Sequence, residues 1–365
     1  MLKSGLDTPV AIVDLDILER NITDMACSTR NIGVHLRPHI KTHKVPEIAN
    51  KQLEAGAIGI TCAKLGEAEV MADTVGVRDI FIANMIVGND KIRRLLNLAE
   101  RLRISVGMDS LEVGGPISEA AQKRGLRIRV LIKVDLGLER TGVPYGEPTV
   151  DLAKKINKMP GLELAGIYTH EGQVYSAKRS EHLYRLAREA GQKMVQTAKM
   201  IRKAGMELDI VSVGATPSAR ITCRIPGVTE TRPGTYVFND VAQVKLGIAR
   251  EEDCALTVLA TVISVPSRDR AIIDAGTKCL SSDKAAAFGT YGLVKGMPHA
   301  TLVRAYEEHG VLNIDPSESK IKVGDKLEII PNHVCPVSNL FDELVGVRND
   351  VVTVTWKVAA RGKVR

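Results

Sequence analysis

Short apolar segments alternate with longer amphipathic segments through the first two thirds of the chain. Apolar runs of this length, bounded by turn residues, are typical of buried strands. The eight runs are "GVHLRPHIK" (33–41), "AIGITCAK" (57–64), "DIFIANMI" (79–86), "RISVGMDS" (103–110), "IRVLIKVDLG" (128–137), "ELAGIYTHEG" (163–172), "DIVSVGATPS" (209–218) and "TETRPGTYVF" (229–238). Between them, "KVPEIANKQLEAG", "DKIRRLLNLAERL" and the segment 176–206 carry apolar residues three and four apart, which predicts helices.

Eight alternations of strand and helix predict an α/β fold of the TIM type, a (β/α)₈ barrel. A doubly wound open sheet is the alternative. We favour the barrel because the count reaches eight and because no GxGxxG motif follows the first strand.

The pattern of apolar and polar residues changes after about residue 242, where short alternating runs such as "CALTVLATVISVPSRDRAIIDAG" predict β-structure. We therefore predict a barrel domain over residues 1–241 and a smaller all-β domain over residues 242–365. The apolar run "PVAIVDLD" precedes the barrel strands, so we leave open whether the extreme N-terminus joins the β domain.

Composition narrows the class of protein. The 365 residues are 44% hydrophobic and 25% charged, which is ordinary for a soluble protein, and the aromatic content of 3% argues against base-stacking surfaces. The net charge of +7 is spread along the chain, which disfavours a nucleic-acid partner. Six scattered cysteines without a CxxC pair predict no disulfide framework. With no signal-like or membrane-length apolar run, we expect a soluble cytoplasmic protein without a membrane partner.

The motif "RPHIKTHK" (37–44) places five basic side chains at the end of the first predicted strand. Functional groups of barrel enzymes lie at the carboxyl ends of strands, so this cluster predicts an anionic ligand. Lys41 is the candidate nucleophile, since a lysine crowded by cations gives up its proton more readily and a neutral amine forms a Schiff base with an aldehyde. A surface lysine in a loop is the alternative.

Two later strand ends suggest a phosphate site. "SVGATPSA" contains Thr216, and "RPGTYVF" contains Gly234 and Tyr236. Small, hydroxyl-rich loops present backbone N–H groups to phosphate, and barrel phosphate sites commonly lie after strands seven and eight. A lysine after strand one would face this site across the barrel mouth, an arrangement that suits pyridoxal phosphate.

The motif "PNHVCPVSNLFDE" (331–343) suggests a metal site. His333 and Cys335 are two residues apart and would share one face of an extended run. Imidazole with thiolate suits Zn²⁺, and two protein ligands would leave positions for water or substrate. A half-buried histidine beside an unreactive cysteine is the alternative.

These motifs, together with "VDLGLERTGV", "YTHEG" and "DAGTKCLSSD", occur in the order seen in the D-threonine aldolase and D-serine dehydratase family. The chain resembles this branch of the alanine-racemase-like, fold-type III pyridoxal phosphate enzymes over essentially its whole length. The resemblance implies a barrel, a β domain and a homodimer with active sites at the interface. The matched positions are Lys41 for the cofactor lysine, Thr216, Gly234 and Tyr236 for the phosphate, Arg140, Tyr168 and His170 beside the cofactor, and His333 and Cys335 for the metal.

The resemblance also implies a D-β-hydroxy-α-amino acid as substrate. In β-elimination, Lys41 takes the α-proton and the metal activates the hydroxyl, giving a 2-oxo acid and ammonia. In retro-aldol cleavage, a base such as His170 takes the hydroxyl proton, giving glycine and an aldehyde. Within the family, histidine with cysteine resembles the dehydratase type, and histidine with aspartate resembles the aldolase type. The metal preferences agree in direction, since thiolate selects Zn²⁺ whereas carboxylate suits Mn²⁺ or Mg²⁺. We favour the dehydratase.

Two further classes remain as alternatives. An amino-acid racemase would need an acid opposite Lys41, and Tyr291 is the candidate. A non-enzymatic cofactor-binding protein would need no second domain. Neither class requires His333 and Cys335. The segment "RAYEEHGVL" (304–312) either borders the metal site or forms a solvated loop, which we favour.

Overall fold

The computed structural model describes residues 1–283, 289–317 and 320–365. The α-helices in this part of the chain are α1 (Leu15–Ile32), α2 (Pro46–Glu54), α3 (Leu65–Thr74), α4 (Asn89–Ala99), α5 (Leu111–Lys123), α6 (Glu147–Ile156), α7 (Ser180–Lys203), α8 (Ala219–Thr222), α9 (Val241–Lys245), α10 (Thr277–Leu280) and α11 (Val334–Ser338). Short 3₁₀ helices span Lys3–Gly5, Ile40–Thr42, Gly172–Ser176, Thr235–Val237 and Glu251–Asp253.

The strands in the same described ranges are β1 (Val10–Asp14), β2 (His35–Leu36), β3 (Ile60–Cys62), β4 (Asp79–Ile82), β5 (Arg103–Met108), β6 (Ile128–Asp135), β7 (Val143–Pro144), β8 (Leu162–Tyr168), β9 (Ile210–Val213), β10 (Glu230–Thr231), β11 (Leu256–Ser267), β12 (Arg270–Ile273), β13 (Gly292–Val294), β14 (Ala300–Ala305), β15 (Gly310–Ile314), β16 (Lys326–Pro331), β17 (Glu343–Arg348) and β18 (Val351–Lys357). They form two sheets, one in each of two compact units.

The barrel unit consists of Asp24–Lys41, Pro46–Gly234 and Lys363–Arg365. Its strands pair in parallel in the order β2-β10-β9-β8-β6-β5-β4-β3. The sheet closes because the Thr61 amide donates to the Pro38 carbonyl at 2.8 Å, beside a parallel bridge between His39 and Thr61. Each of the eight predicted runs overlaps one of these strands, so the (β/α)₈ barrel is confirmed and the open sheet is excluded.

Burial explains why the barrel strands are apolar along their whole length. Parallel strands in a barrel are covered on both faces and cannot show the alternation of a half-exposed strand. Inside the barrel, Phe81, Leu131, Ala165 and Tyr168 form a buried cluster, and the Phe81 and Tyr168 rings meet edge to face at 4.9 Å.

The three predicted helices correspond to α2, α4 and α7. The longest, α7, buries residues three and four apart, as expected of an amphipathic helix packed on a barrel. These residues include Leu183, Ala187, Ala190, Met194, Ala198 and Ile201. No described helix has both the length and the apolar character needed to cross a membrane.

The β unit consists of Met1–Thr23, Thr42–Val45 and Thr235–Gly362. Its sheet follows the order β12-β15-β14-β13-β16-β11-β1-β17-β18, and the added pairing of β11 with β12 closes six antiparallel strands into a ring. The N-terminal strand β1 lies in this sheet between β11 and β17. The predicted all-β domain is present, but its bounds differ from the prediction. Its largest segment begins at Thr235 rather than at residue 242, and residues 1–23, which we predicted within the barrel domain, lie in the β unit.

Candidate active site

Lys41 follows the first barrel strand, in the 3₁₀ helix Ile40–Thr42. It is half-buried, and its backbone N–H points to His39 Nδ1 at 3.5 Å. Lys41 interacts electrostatically with the rings of His39 and His170. The charge of Arg232 also acts on both rings. The candidate nucleophile therefore lies in a polar cluster at the carboxyl ends of the barrel strands.

The rest of the "RPHIKTHK" motif has structural partners, which corrects the expectation that the whole cluster faces one anion. Arg37 is buried and forms ion pairs with Glu230 and Asp79, each at 2.7 Å. His43 Nδ1 accepts the Val45 amide at 3.1 Å. Alternation along an irregular segment sends successive side chains in different directions, and only the three-dimensional path shows which ones share a site.

His170 is held in one tautomer. Its Nδ1 lies 3.0 Å from the Gly214 carbonyl oxygen, which can only accept, so the neutral ring carries its proton on Nδ1 and leaves Nε2 as an acceptor. Burial and the nearby Lys41 lower the pKa of His170 to about 3. Burial, Lys41 and Arg232 also lower the pKa of His39. Both rings are neutral near pH 7.

Arg232 is a central cation that the sequence reasoning missed. It is buried, with Nε donating to Ser212 Oγ at 2.7 Å and Nη2 donating to the Thr169 carbonyl. Its guanidinium carbon lies 5.1 Å from the Tyr168 ring centroid and 5.6 Å from the Phe81 ring centroid. Arg232 is the first residue of "RPGTYVF", the motif whose glycine and tyrosine predict a phosphate site.

Lys133 is a second missed cation, and it lies near Arg140. Lys133 is buried on β6, its Nζ lies 2.5 Å from Thr141 Oγ1, and burial, Arg140 and Arg232 lower its pKa to about 8. Arg140 is exposed in the loop after β6. A charged residue inside an apolar strand was the sequence signal for Lys133.

Tyr168 lies inside the barrel. Its side chain is 1% exposed, burial raises the pKa of the phenol, and its hydroxyl has no hydrogen-bond partner among the described residues. A Cβ at Gly107 would lie 2.1 Å from this hydroxyl, so glycine is needed there. A buried unpaired hydroxyl costs about 1–3 kcal/mol, which a bound polar group would recover.

The loop after β9 is organised by Glu171. This buried carboxylate accepts the Gly214 amide at 3.0 Å and the Ser218 hydroxyl at 2.6 Å. Ser218 is therefore occupied within the protein. Thr216 is buried in the same loop.

Gly234 and Tyr236 lie on either side of the point where the chain passes from the barrel unit to the β unit. Gly234 is the half-buried last residue of its barrel segment, and Tyr236 is buried in the 3₁₀ helix Thr235–Val237 of the β unit.

In the β unit, His333 and Cys335 lie where the chain turns into α11. His333 precedes this helix in an extended conformation and Cys335 lies inside it, so the run is not the continuous strand that we expected. The two side chains still meet, because Cys335 is a hydrogen-bond partner of the His333 ring. Burial opposes charge on His333, but Cys335, Asp240 and Asp283 raise its pKa to about 10, and Asp283 Oδ2 lies 2.6 Å from Nδ1.

Two threonine hydroxyls surround the Cys335 sulfur. Thr42 Oγ1 lies 3.2 Å away and Thr235 Oγ1 lies 3.8 Å away. Within the described residues, no group of three or more His, Cys, Asp and Glu side chains is placed to hold a metal. A metal on His333 and Cys335 would therefore keep positions for other ligands, as catalytic metals do.

The acidic segment "RAYEEHGVL" forms a solvated turn, as we favoured. Glu307 and Glu308 are exposed and both form ion pairs with Lys278, at 3.1 Å and 2.7 Å. His309 is exposed beside them. These residues provide no support for a further metal ligand.

Comparison with known proteins agrees with this architecture. The family profile described as "Alanine racemase, N-terminal domain" matches residues 13–241, and "Putative serine dehydratase domain" matches residues 255–347. The fold and these matches define the alanine-racemase-like, fold-type III class of pyridoxal phosphate enzymes.

Individual relatives show to which family within this class the chain belongs. D-threonine aldolase from Arthrobacter sp is 36% identical, over 98% of this chain and 93% of its own length. D-threo-3-hydroxyaspartate dehydratase from Delftia sp. (strain HT23) is 35% identical, over 96% of this chain and 97% of its own length. The crystal structure of D-threonine aldolase from Filomicrobium marinum is 33% identical, with a TM-score of 0.93 over 99% of this chain and 98% of that chain. The chain belongs to the D-threonine aldolase and D-serine dehydratase family.

Proposed function

We propose that this protein is a pyridoxal phosphate- and divalent metal-dependent lyase that converts D-β-hydroxy-α-amino acids into 2-oxo acids and ammonia. One relationship carries the proposal. Lys41 is joined by a peptide bond to Thr42, whose hydroxyl lies 3.2 Å from Cys335 Sγ. The candidate cofactor lysine and the candidate metal ligand are thus linked through a single intervening residue.

The barrel residues suit an anionic, aromatic cofactor. The buried Tyr168 hydroxyl lacks a partner among the described residues, and the Arg232 guanidinium is buried, with both it and Lys41 acting electrostatically on His39. Residues proposed to hold the cofactor are Lys41, Arg140, Tyr168, Thr216, Gly234 and Tyr236, with Arg232 added from the structure. When bound, pyridoxal phosphate supplies an electron sink for the substrate's α-carbon.

The donor set of the second cluster suits zinc. An imidazole and a thiol in contact are the ligands that Zn²⁺ prefers, whereas Mn²⁺ and Mg²⁺ prefer oxygen. We propose His333 and Cys335 as the ligands. A bound metal would polarise the substrate's β-hydroxyl.

Two side chains of the protein are proposed to accept protons from the substrate. In the proposed elimination, Lys41 Nζ removes the α-proton. His170 Nε2 is a neutral acceptor, because Nδ1 is committed to the Gly214 carbonyl. His170 is therefore available to accept a proton from the substrate's hydroxyl group in the alternative reaction.

Retro-aldol cleavage to glycine and an aldehyde is the second candidate, and the D-threonine aldolases among the relatives favour it. The cysteine favours elimination. In the related dehydratase, alanine variants of a histidine and a cysteine two positions apart have been solved, and the cysteine variant is described as a metal-free form. His333 and Cys335 have the same spacing.

The assay that tests the proposal supplies purified protein with pyridoxal phosphate and Zn²⁺ and offers D-serine and D-threonine separately. Pyruvate and ammonia from D-serine are expected, and Cys335→Ala should lose this activity together with bound zinc. Glycine and acetaldehyde from D-threonine, without any 2-oxo acid from either substrate, would replace the dehydratase with the aldolase.

We also propose a cytoplasmic homodimer whose active sites lie at the interface. The family resemblance supports the dimer. All six cysteines are free, which fits a reducing compartment. Light scattering of the holoenzyme in solution should give twice the mass of 39.6 kDa, and a monomeric mass would contradict this part of the proposal.

A further inference from the structure

We propose that the hydroxyl groups of Thr42 and Thr235 position the Cys335 sulfur as a metal ligand. This inference rests on the proposed metal site and adds two positioning residues to it. Neither threonine is a metal ligand in the proposal. Each acts through the sulfur.

The contacts come from two separate stretches of the chain. Thr42 Oγ1 lies 3.2 Å from Cys335 Sγ, and Thr235 Oγ1 lies 3.8 Å from the same atom. Both threonines are buried, whereas Cys335 is half-buried. The sulfur therefore lies beside two buried hydroxyl groups, while the residue that carries it is not fully buried.

Thr42 is fixed in place by the helix that carries the cysteine. Ser338, fully buried at the end of α11, donates its hydroxyl to the Thr42 carbonyl and also lies 3.2 Å from the Cys335 carbonyl. Thr42 is thus bound to α11 through both its carbonyl and its hydroxyl. This double attachment leaves the Thr42 hydroxyl little freedom to turn away from the sulfur.

The direction of the hydrogen bond follows from the chemistry of the ligand. A metal-bound thiolate has lost its proton and can only accept, so a neighbouring hydroxyl must donate to it. Groups that donate to metal ligands fix their orientation, and removing such groups typically weakens metal binding about 10–100-fold. The nearer hydroxyl, on Thr42, should have the larger effect.

Each of the two threonines is next in the chain to a residue proposed to bind the cofactor. Thr42 directly follows Lys41, and Thr235 directly follows Gly234. Each residue proposed to position the metal ligand is therefore the immediate neighbour of a residue proposed to bind the cofactor. The chain places both functions on adjacent residues twice.

The test measures Zn²⁺ affinity of the holoenzyme by competition with a chelator of known affinity. Thr42→Val, which keeps the side-chain shape, should weaken Zn²⁺ binding about 10–100-fold, and Thr42→Ser should restore it. Thr235→Val should cause a smaller decrease. Visible absorbance of the bound cofactor is recorded on the same samples. If Thr42→Val loses cofactor, the positioning role is tested instead with Thr235→Val and Thr235→Ser, where valine should weaken Zn²⁺ binding and serine should restore it.

Two controls separate this inference from the proposed function. If Cys335→Ala leaves Zn²⁺ affinity unchanged, the metal site itself is wrong and the inference falls with it. If Cys335→Ala abolishes binding but both valine variants bind Zn²⁺ as tightly as the wild type, only the positioning role is overturned.

Discussion

Arg37 Nε donates to Glu230 Oε2 at 2.7 Å inside the barrel, and the two side chains are only 4% and 3% exposed. Burial alone would raise the pKa of Glu230, but Arg37 and the Ser212 hydroxyl lower it below its usual range. The carboxylate is therefore ionised. This arginine, the first letter of the basic motif, stabilises the strand ends rather than binding a ligand.

Arg37→Met should lower the free energy of unfolding by about 3–5 kcal/mol at pH 7, because it leaves the buried Glu230 carboxylate without its ion-pair partner. Urea titration followed by circular dichroism measures this. Arg101→Met is the matched control, since its ion pair with Asp73 is exposed and should contribute less than about 1 kcal/mol.

The same pair predicts a dependence on pH. A carboxyl group whose pKa is lowered by folding stabilises the protein above its unfolded pKa, about 4.3, and loses that contribution as the pH falls through the folded value. The stability difference between wild type and Arg37→Met should therefore shrink below pH 4.3. A difference that stays constant with pH would show that the pair contributes through packing alone.

Lys41→Ala should abolish the visible absorbance of bound pyridoxal phosphate while leaving the far-ultraviolet circular dichroism unchanged, because only the covalent anchor is removed. Lys44→Ala provides a control from the same motif, since Lys44 donates to Asn339 Oδ1 in the β unit. The assignment of Lys41 fails if its alanine variant keeps the band or if the Lys44 variant loses it.

His170 should remain neutral throughout the working range of the enzyme. Its pKa is lowered to about 3, so between pH 3 and 6.5 only the unfolded state binds this proton, and stability falls as the pH decreases through that range. NMR of ring-labelled histidine should show no titration of His170 between pH 5 and 8, with His170→Asn used to assign its signal. A midpoint near 6.5 would contradict the proposed role of Nε2 as a neutral acceptor.

Cys335→Asp should change both the metal and the products. A carboxylate favours Mn²⁺ over Zn²⁺, and histidine with aspartate resembles the aldolase type. We expect the ratio of Mn²⁺ to Zn²⁺ affinity to rise and the share of glycine and aldehyde among the products to increase. Unchanged product ratios in the Mn²⁺-loaded variant would mean that this ligand does not select the reaction.

The barrel could be predicted from sequence because its signals are local and repeated. Each strand is a short apolar run, and each helix has a regular spacing that needs no knowledge of distant residues. The β unit was harder to delimit, since its first strand, β1, pairs with β11 and β17, more than two hundred residues away in the chain. Long-range pairing leaves no local pattern at the N-terminus.

The candidate site likewise contains some residues that a local sequence pattern indicates and others that it does not. Lys41 and His333 stood out because unusual residues cluster around them in the sequence. Arg232 and Glu171 did not, because their importance comes from burial and from partners such as Thr169 and Ser218. The contact between Thr42 and Cys335 joins residues 293 positions apart, and no sequence pattern indicates it.

The most direct test of the proposed function is the consumption of D-serine by holoenzyme loaded with pyridoxal phosphate and Zn²⁺, measured beside L-serine and repeated after a chelator has removed the metal. We predict rapid conversion of D-serine, negligible conversion of L-serine, and loss of activity with the chelator that added Zn²⁺ restores. Equal conversion of both enantiomers, or full activity without metal, would contradict it.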